Sequence, residues 1–271
     1  MIRWLLLASI AALLGLLVGP SALLYRGSLD YSARVPMVRP DGPSPPLVEQ
    51  YLGLASDASN CGPASVAALL EWARPELAGT DPAALVLQVR SRSGEGAGDT
   101  DQQGLTQALG SFGVPVAQLY AGDVPGGEAD PLAVVTATLG RGIPVLALVH
   151  GAALGRGEGY GNHWLVLWRA DRSAGTIEVT DPDTQPPRSA AWIPGGVQSL
   201  RQGTVRAALV AAGGDAPVAL AIGAERRYAV PARTGLLAAA LTMALVGLAR
   251  RVRGMGRADA RLTVASRRGR T

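Results

Sequence analysis

The chain has no lysine, a single cysteine and only two histidines. One cysteine excludes an intramolecular disulfide. With two histidines it supplies no cluster of zinc-ligand spacing, so neither a metal nor another cofactor is expected. The missing lysine also removes a phosphate-cradling loop. The glycine-rich stretch Gly94 to Gly98 lacks that lysine and the strand-to-helix setting such a loop needs. Every basic side chain is arginine, 25 against 21 acidic residues. That bias, with the abundance of Ala, Gly, Leu and Val, reflects coding composition rather than mechanism. Positive charge gathers after Ala249, at Arg250, Arg251, Arg253, Arg257 and Arg261, while the middle mixes signs, so nucleic-acid binding is not implied.

The two strongly apolar uncharged stretches of membrane-span character lie near the two ends. Trp4 to Leu24 is long enough to cross a hydrocarbon core. It reads as an uncleaved signal anchor over 1–25. A cleavable signal peptide is the alternative, but Pro20 and the bulky Leu23, Leu24 and Tyr25 leave no small-x-small cleavage site. Thr234 to Ala249 is a second apolar stretch, extended to 229–249 if Arg233 snorkels to the interface. The arginine-rich tail over 250–271 then lies in the cytoplasm. The middle of the chain faces the extracytoplasmic side of the cell membrane, with membrane lipid as a partner. Residues 26–46, rich in proline, read as a linker, and 47–227 has the length of one domain.

The solitary cysteine stands in Ser59-Asn60-Cys61-Gly62-Pro63-Ala64-Ser65, ahead of a helical run through Val66, Leu69, Leu70 and Trp72. Asn60 is a good N-cap, which leaves Cys61 in the first turn, where unpaired N–H groups and the helix dipole favour a thiolate. Gly62 removes bulk beside the sulfur so that a substrate backbone can approach, and Pro63 costs nothing in a first turn. A buried cysteine acting as a small apolar residue is the competing reading.

Partners for the thiol decide between them. His163 opens the apolar run His163-Trp164-Leu165-Val166-Leu167-Trp168, which reads as a buried strand. Thr176 to Thr180 gives a second strand ending in Asp181-Pro182-Asp183. Paired as an antiparallel hairpin, the two strands set His163 across from Asp181, within reach of a carboxylate–imidazole bond. Alternation also puts His163, Leu165 and Leu167 on one face, as it does Ile177, Val179 and Asp181. Nucleophile, base and orienter thus follow in the order Cys61, His163, Asp181. Asn162 and Asp183 are reserve candidates for the orienter, and His150 is a polar residue at the end of the strand 143–149.

This layout resembles the papain-like cysteine peptidases. The runs 60–67, 142–148 and 163–166 with Asp181-Pro182 resemble more narrowly the double-glycine leader peptidase family, which processes bacteriocins, and its stand-alone relatives. The likeness covers roughly Val48 to Asp183. It implies Cys61 as nucleophile, His163 as general base and acid, Asp181 as orienter of the imidazole, and a peptide or protein as substrate. The family's oxyanion-hole glutamine stands shortly before its cysteine, where this chain has Ala55 to Ser59. Gln50, in Leu47-Val48-Glu49-Gln50-Tyr51, is the nearest upstream glutamine, either the oxyanion donor or a surface residue. The chain has neither an ATPase motif nor a multi-span exporter region, so leader processing would need a separate transporter, and an outward-facing site lies on the wrong side for it. The same three residues also serve acyl transfer or amidase chemistry of the transglutaminase kind. A catalytically weak, membrane-tethered binding module is the remaining alternative.

Elsewhere, Pro82 to Arg90 reads as a helix and Ser91 to Gly98 as a mobile loop. Thr100 to Gln103 reads as a capping box for a helix to about Ser111. A strand over 114–120, a helix from Asp130-Pro131 to Leu139, a strand over 143–149, a helix over 205–212 and a strand over 218–222 follow. The glycine-rich loop Gly151 to Asn162 reads as a lid or an ordinary surface loop. The expected fold is α+β, with helices to one side of an antiparallel sheet and the cysteine helix packed on it, flanked by two membrane helices.

Overall fold

The structure is a computed structural model that describes residues 28–30, 43–94, 98–123, 130–185, 195–213 and 219–227. The end segments 1–25 and 229–249, the basic tail and most of the linker lie outside the described residues. Among the described residues no helix is long and apolar enough to cross a membrane. By internal contacts the chain divides into Leu29–Arg227 and a second unit of Met1–Ser28 with Tyr228–Thr271. The described helices and the six-stranded sheet belong to the first.

In chain order the strands are β1 (Ser28–Asp30), β2 (Val116–Leu119), β3 (Val145–His150), β4 (Asn162–Asp171), β5 (Thr176–Asp181), β6 (Gly196–Arg201), β7 (Ala219–Ile222) and β8 (Glu225–Arg227). The helices are α1 (Cys61–Ala73), α2 (Pro82–Ser93), α3 (Gln102–Ser111), α4 (Pro131–Leu139) and α5 (Gln202–Ala211). Six strands form one sheet in the order β2-β7-β3-β4-β5-β6, antiparallel throughout. β1 and β8 pair separately.

The apolar run of β4 explains its own position. Trp164, Val166 and Trp168 pack with α1, α2 and α3 on one face, while Leu165 and Leu167 pack with α4 and α5 on the other. A strand covered on both faces has no polar side, so its sequence shows no alternation. Helices therefore lie on both faces of the sheet, not on one as the element order suggested. Each large apolar side chain buried this way contributes about 1.5–3 kcal/mol.

Helix starts follow short polar side chains. Asp81, Asp101 and Asp130 accept from the N–H groups of Ala84 (3.0 Å), Gly104 (2.7 Å) and Leu132 (3.0 Å). The cap of α3 is thus Asp101 rather than Thr100, one residue later than the capping-box reading. Thr100 is buried, and its carbonyl accepts from Trp164 Nε1 at 3.1 Å. α2 runs on to Ser93 and stops at Gly94, whose φ of 74° suits glycine. Part of the glycine-rich stretch expected as a loop is therefore helix, and residues 95–97 lie outside the described residues.

Candidate active site

Asn60 precedes Cys61 but does not cap α1 with its side chain. It is fully buried, and its amide is committed elsewhere. Oδ1 accepts from Arg90 Nε at 2.6 Å and from Ser56 Oγ at 3.0 Å, while Nδ2 donates to the Gln50 carbonyl at 3.3 Å. The helix start is held instead by tertiary bonds. Arg90 also donates to the Ser59 carbonyl at 2.6 Å, and Asp57 accepts from the N–H groups of Leu52 (3.1 Å), Gly53 (2.9 Å) and Leu54 (3.0 Å). The expectation that Asn60 is a capping residue is corrected to a brace between the helix start and Gln50.

Gly62 also differs from its expected part. A Cβ there would overlap Thr100 Oγ1 and come within 3.0 Å of Trp164 Cδ1 and 3.1 Å of Leu105 Cδ1. Its bare Cα serves close packing of α1, not access for substrate. Ser65 Oγ donates to the Trp164 carbonyl at 3.2 Å, so the first turns of α1 are fastened to the residue next to His163. Cys61 is partly accessible and lies near enough to His163 for the two groups to influence each other electrostatically.

His163 and Asp181 meet as expected, though not by the expected register. β4 and β5 pair Val166 with Thr180 and Leu167 with Val179, and a bulge follows between Leu167 and Arg169. Continuing that ladder sets Asp181 beside Leu165, two residues along from His163. The pair is therefore diagonal, within reach for long side chains on one face. His163 Nε2 lies 2.7 Å from Asp181 Oδ1. With Nε2 so engaged, Nδ1, which has the Tyr160 hydroxyl at 3.4 Å, is the ring nitrogen that can exchange a proton with a thiol.

His163, Asp181 and Asp183 are each at most 1% exposed, so their charges must be balanced inside the protein. Asp181 Oδ1 also accepts from the Asp183 N–H at 3.0 Å, and Oδ2 pairs with the guanidinium of Arg156. Burial works against a charged imidazole, but the Asp181 carboxylate outweighs it, helped by Cys61, and the pKa of His163 is pushed up to about 10. Burial also works against a charged Asp181, yet His163 and Arg156 hold its carboxyl below the usual carboxylate range. At neutral pH the arrangement therefore favours an imidazolium, the form that pairs with a thiolate and can donate a proton.

Gln50 is 2% exposed, so the surface reading fails. Its N–H donates to the Pro182 carbonyl at 3.0 Å and its carbonyl accepts from Asn60. The backbone of Gln50 is thus tied to the neighbours of both Asp181 and Cys61. Its Oε1 is buried without a hydrogen-bond partner among the described residues. The reserve candidates separate: Asn162 is exposed opposite His150, whereas Asp183 belongs to the buried cluster. An open hollow of about 660 Å³, lined by Thr136, Arg169, Asp171, Arg172 and Glu178 among others, lies by the far end of β4 from His163. Neither cysteine nor histidine lines it.

Comparison with known proteins gives likeness in shape alone. No family model matches the chain, and no curated protein matches it. Solved structures do. The peptidase domain of Streptococcus ComA, a bifunctional ABC transporter of a quorum-sensing pathway, is 15% identical over 68% of this chain and 100% of that domain, with a TM-score of 0.38. A double-glycine motif protease from an AMS/PCAT transporter, solved with its leader peptide, is 14% identical over 70% of this chain and 91% of that one, at 0.37. The peptidase domain of Streptococcus mutans ComA is 14% identical over 65% and 97%, at 0.34. With identity this low, the chemistry of the site is read from its own side chains.

Two residues of the cluster escaped the sequence. Arg156 is 2% exposed and joins Asp181 and Asp183, while Tyr160 donates to Asp183 Oδ2 at 2.6 Å. Both lie in the glycine-rich loop before β4. One arginine among 25 carries no mark of burial, and only the loop's arrival at His163 pointed to it.

Proposed function

We propose that the chain is a membrane-anchored cysteine peptidase of papain-like architecture, with Cys61 as nucleophile, His163 as general acid and base, and Asp181 as orienter. The observation that carries the reading is the buried His163–Asp181 pair at 2.7 Å, with Cys61 close enough to act electrostatically on the same imidazole. A packing cysteine needs no such partner.

The reaction follows from that geometry. The Cys61 sulfur, its proton held by His163, adds to a peptide carbonyl carbon and drives an electron pair onto the carbonyl oxygen. The Cys61 N–H, first in its helix and without an intrahelical acceptor, is one donor for that oxyanion, and the Gln50 amide is the second. Collapse breaks the C–N bond, and the leaving nitrogen takes its proton from the imidazolium. The neutral His163 then removes a proton from water. Hydroxide adds to the thioester, and the thiolate leaves beside the re-formed imidazolium. Asp181 stays ionised throughout and fixes the ring through Nε2.

The substrate class is a peptide or protein; the structural likeness brings a leader peptide forward, but the outward placement puts the site on the wrong side for leader processing. Anchoring rests on the apolar segments 1–25 and 229–249, and the outward placement of the domain on the arginines after Ala249. In this reading the partners are peptide and membrane lipid, with a separate transporter only if leader processing is the task.

The test is digestion of a peptide mixture by the full chain in detergent, with Cys61→Ala as control. Cleavage lost in the control supports the reading. Products conjugated to an added amine assign the same triad to acyl transfer. Identical digests from both proteins refute it.

A further inference from the structure

The loop between β3 and β4 is closed on itself rather than free to move as a lid. Gly151 N–H donates to the Gly161 carbonyl at 2.9 Å, Ala152 to Tyr160 at 3.2 Å, and Arg156 to Gly151 at 3.1 Å. Gly155, Gly157 and Gly159 have φ of 84°, 87° and 85°, left-handed values that let eleven-odd residues fold back so tightly. A Cβ on Gly151 would overlap the Tyr160 ring, so the ring lies directly on that glycine.

The loop delivers two side chains to the back of the triad. Arg156 Nη1 donates to the Asp183 carbonyl at 3.0 Å and lies 3.6 Å from Asp183 Oδ2, and Nη2 pairs with Asp181 Oδ2. The Tyr160 hydroxyl donates to Asp183 Oδ2 and stands 3.4 Å from His163 Nδ1, its ring edge-on to the imidazole at 81° with centroids 5.6 Å apart. Burying a guanidinium costs several kcal/mol unless partners offset it. Here the partners are two carboxylates that would otherwise repel each other beside His163. Two carboxylates and one guanidinium leave one negative charge, which the imidazolium of His163 cancels.

We propose that Arg156 and Tyr160 are positioning residues for the His163–Asp181 pair. Arg156 fixes the Asp181 carboxylate by Oδ2, so that Oδ1 faces His163, and it cancels one of the two buried negative charges. Tyr160, anchored on Asp183, stands edge-on to the imidazole with its hydroxyl 3.4 Å from Nδ1 and so fixes the orientation of the ring. The groups facing His163 are then Asp181 from β5, Cys61 from α1 and Tyr160 from the loop, with Arg156 and Asp183 behind Asp181. The inference rests on the peptidase reading only in taking Cys61 and His163 as the reacting pair.

Cys61 is the sole cysteine, so its alkylation reports on this site alone. The experiment follows the rate of iodoacetamide modification of the full chain from pH 5 to 10 in wild type, Arg156→Met, Arg156→Lys and Tyr160→Phe, with melting temperatures alongside. Loss of a buried positive charge favours proton uptake by the whole cluster, so Arg156→Met should move the profile up by about one pH unit. Arg156→Lys should restore the wild-type profile. Tyr160→Phe should slow alkylation about fivefold, the worth of one net hydrogen bond. Profiles of Arg156→Met and Tyr160→Phe that superimpose on wild type, whatever their melting temperatures, would overturn the proposal. If Arg156→Met does not fold, Tyr160→Phe, which deletes one oxygen, decides by the same criterion. Absence of peptide hydrolysis by wild type would remove the peptidase reading while leaving the alkylation comparison valid.

Discussion

Replacing Asp181 by asparagine keeps the size of the side chain and exchanges one oxygen for an NH₂ group, and the surroundings have no place for it. Oδ1 accepts from His163 Nε2 at 2.7 Å and from the Asp183 N–H at 3.0 Å, and Oδ2 faces the Arg156 guanidinium. An amide nitrogen on the Arg156 side sets donor against donor. On the His163 side it meets the Asp183 N–H and forces Nε2 to accept, which moves the ring proton to Nδ1, where it cannot take the thiol proton. Either orientation disables the base. The expected loss in kcat is about 10⁴-fold, as when the orienting carboxylate of a hydrolytic triad becomes an amide. Removing one partner of a buried ion pair should also cost about 3–5 kcal/mol of stability, or about 10 °C in melting temperature for a domain of this size.

The pH dependence of that cost has a definite sign. His163 has its native pKa raised from 6.5 to about 10, so its contribution is complete below pH 6.5 and fades as pH rises through about 10. Asp181 has its native pKa lowered from 3.8, so its contribution is complete above pH 3.8 and is lost as pH falls through its native value. The melting-temperature gap between wild type and Asp181→Asn should therefore be widest between pH 3.8 and 6.5 and close towards pH 10. Thermal melts across that range and peptide hydrolysis at neutral pH measure both effects. A variant that hydrolyses within about tenfold of wild type, or a gap that is the same at pH 6 and pH 10, would refute the reasoning.

Three further outcomes are expected. Gln50→Ala should lower kcat about 10²–10³-fold by removing an oxyanion donor while leaving Cys61 alkylation unchanged, which comparison of the two rates on one preparation checks. Gly62→Ala should cost about 1–3 kcal/mol in urea unfolding, since the new methyl meets Thr100, Trp164 and Leu105 in a packed core. Asn60→Ala removes a buried acceptor from Arg90 and a donor to the Gln50 carbonyl, and should destabilise by about 2–3 kcal/mol in the same assay while Asp57→Asn, at a more exposed position, costs less.

The pairing of His163 with Asp181 was more legible in the sequence than the architecture that holds it. Cys61, His163 and Asp181 stand out because they are rare or end apolar runs, and the simple hairpin came within two residues of the true register. It missed the offset because β4 runs on to Asp171 and pairs there with Thr176, leaving a shorter turn than 170–175, and the bulge after Leu167 takes back only one residue of that shift. The sidedness of the helices was lost for a related reason: β4 is apolar on both faces, so its composition tells of burial but not of what lies above and below. β6 escaped because a six-residue edge strand with one exposed valine, Val197, has little apolar alternation to show. Asn60 looked like a cap because its residue type suits one. Arg90 and Gln50, distant in sequence, claim its amide, and a tertiary bond of that kind leaves no local trace. Arg156 is the sharpest case, since nothing in Gly155-Arg156-Gly157 distinguishes a buried guanidinium from a solvated one.

The central claim is that Cys61 is a nucleophile armed by His163, and a peptide electrophile tests it most directly. The full chain, reduced and held in detergent, is exposed to a peptidyl chloromethylketone and the adduct located by mass spectrometry. A stoichiometric adduct on Cys61 in wild type, reduced at least about a hundredfold in rate in His163→Ala, is the predicted result. No adduct on wild type, or equal rates with and without His163, would contradict it.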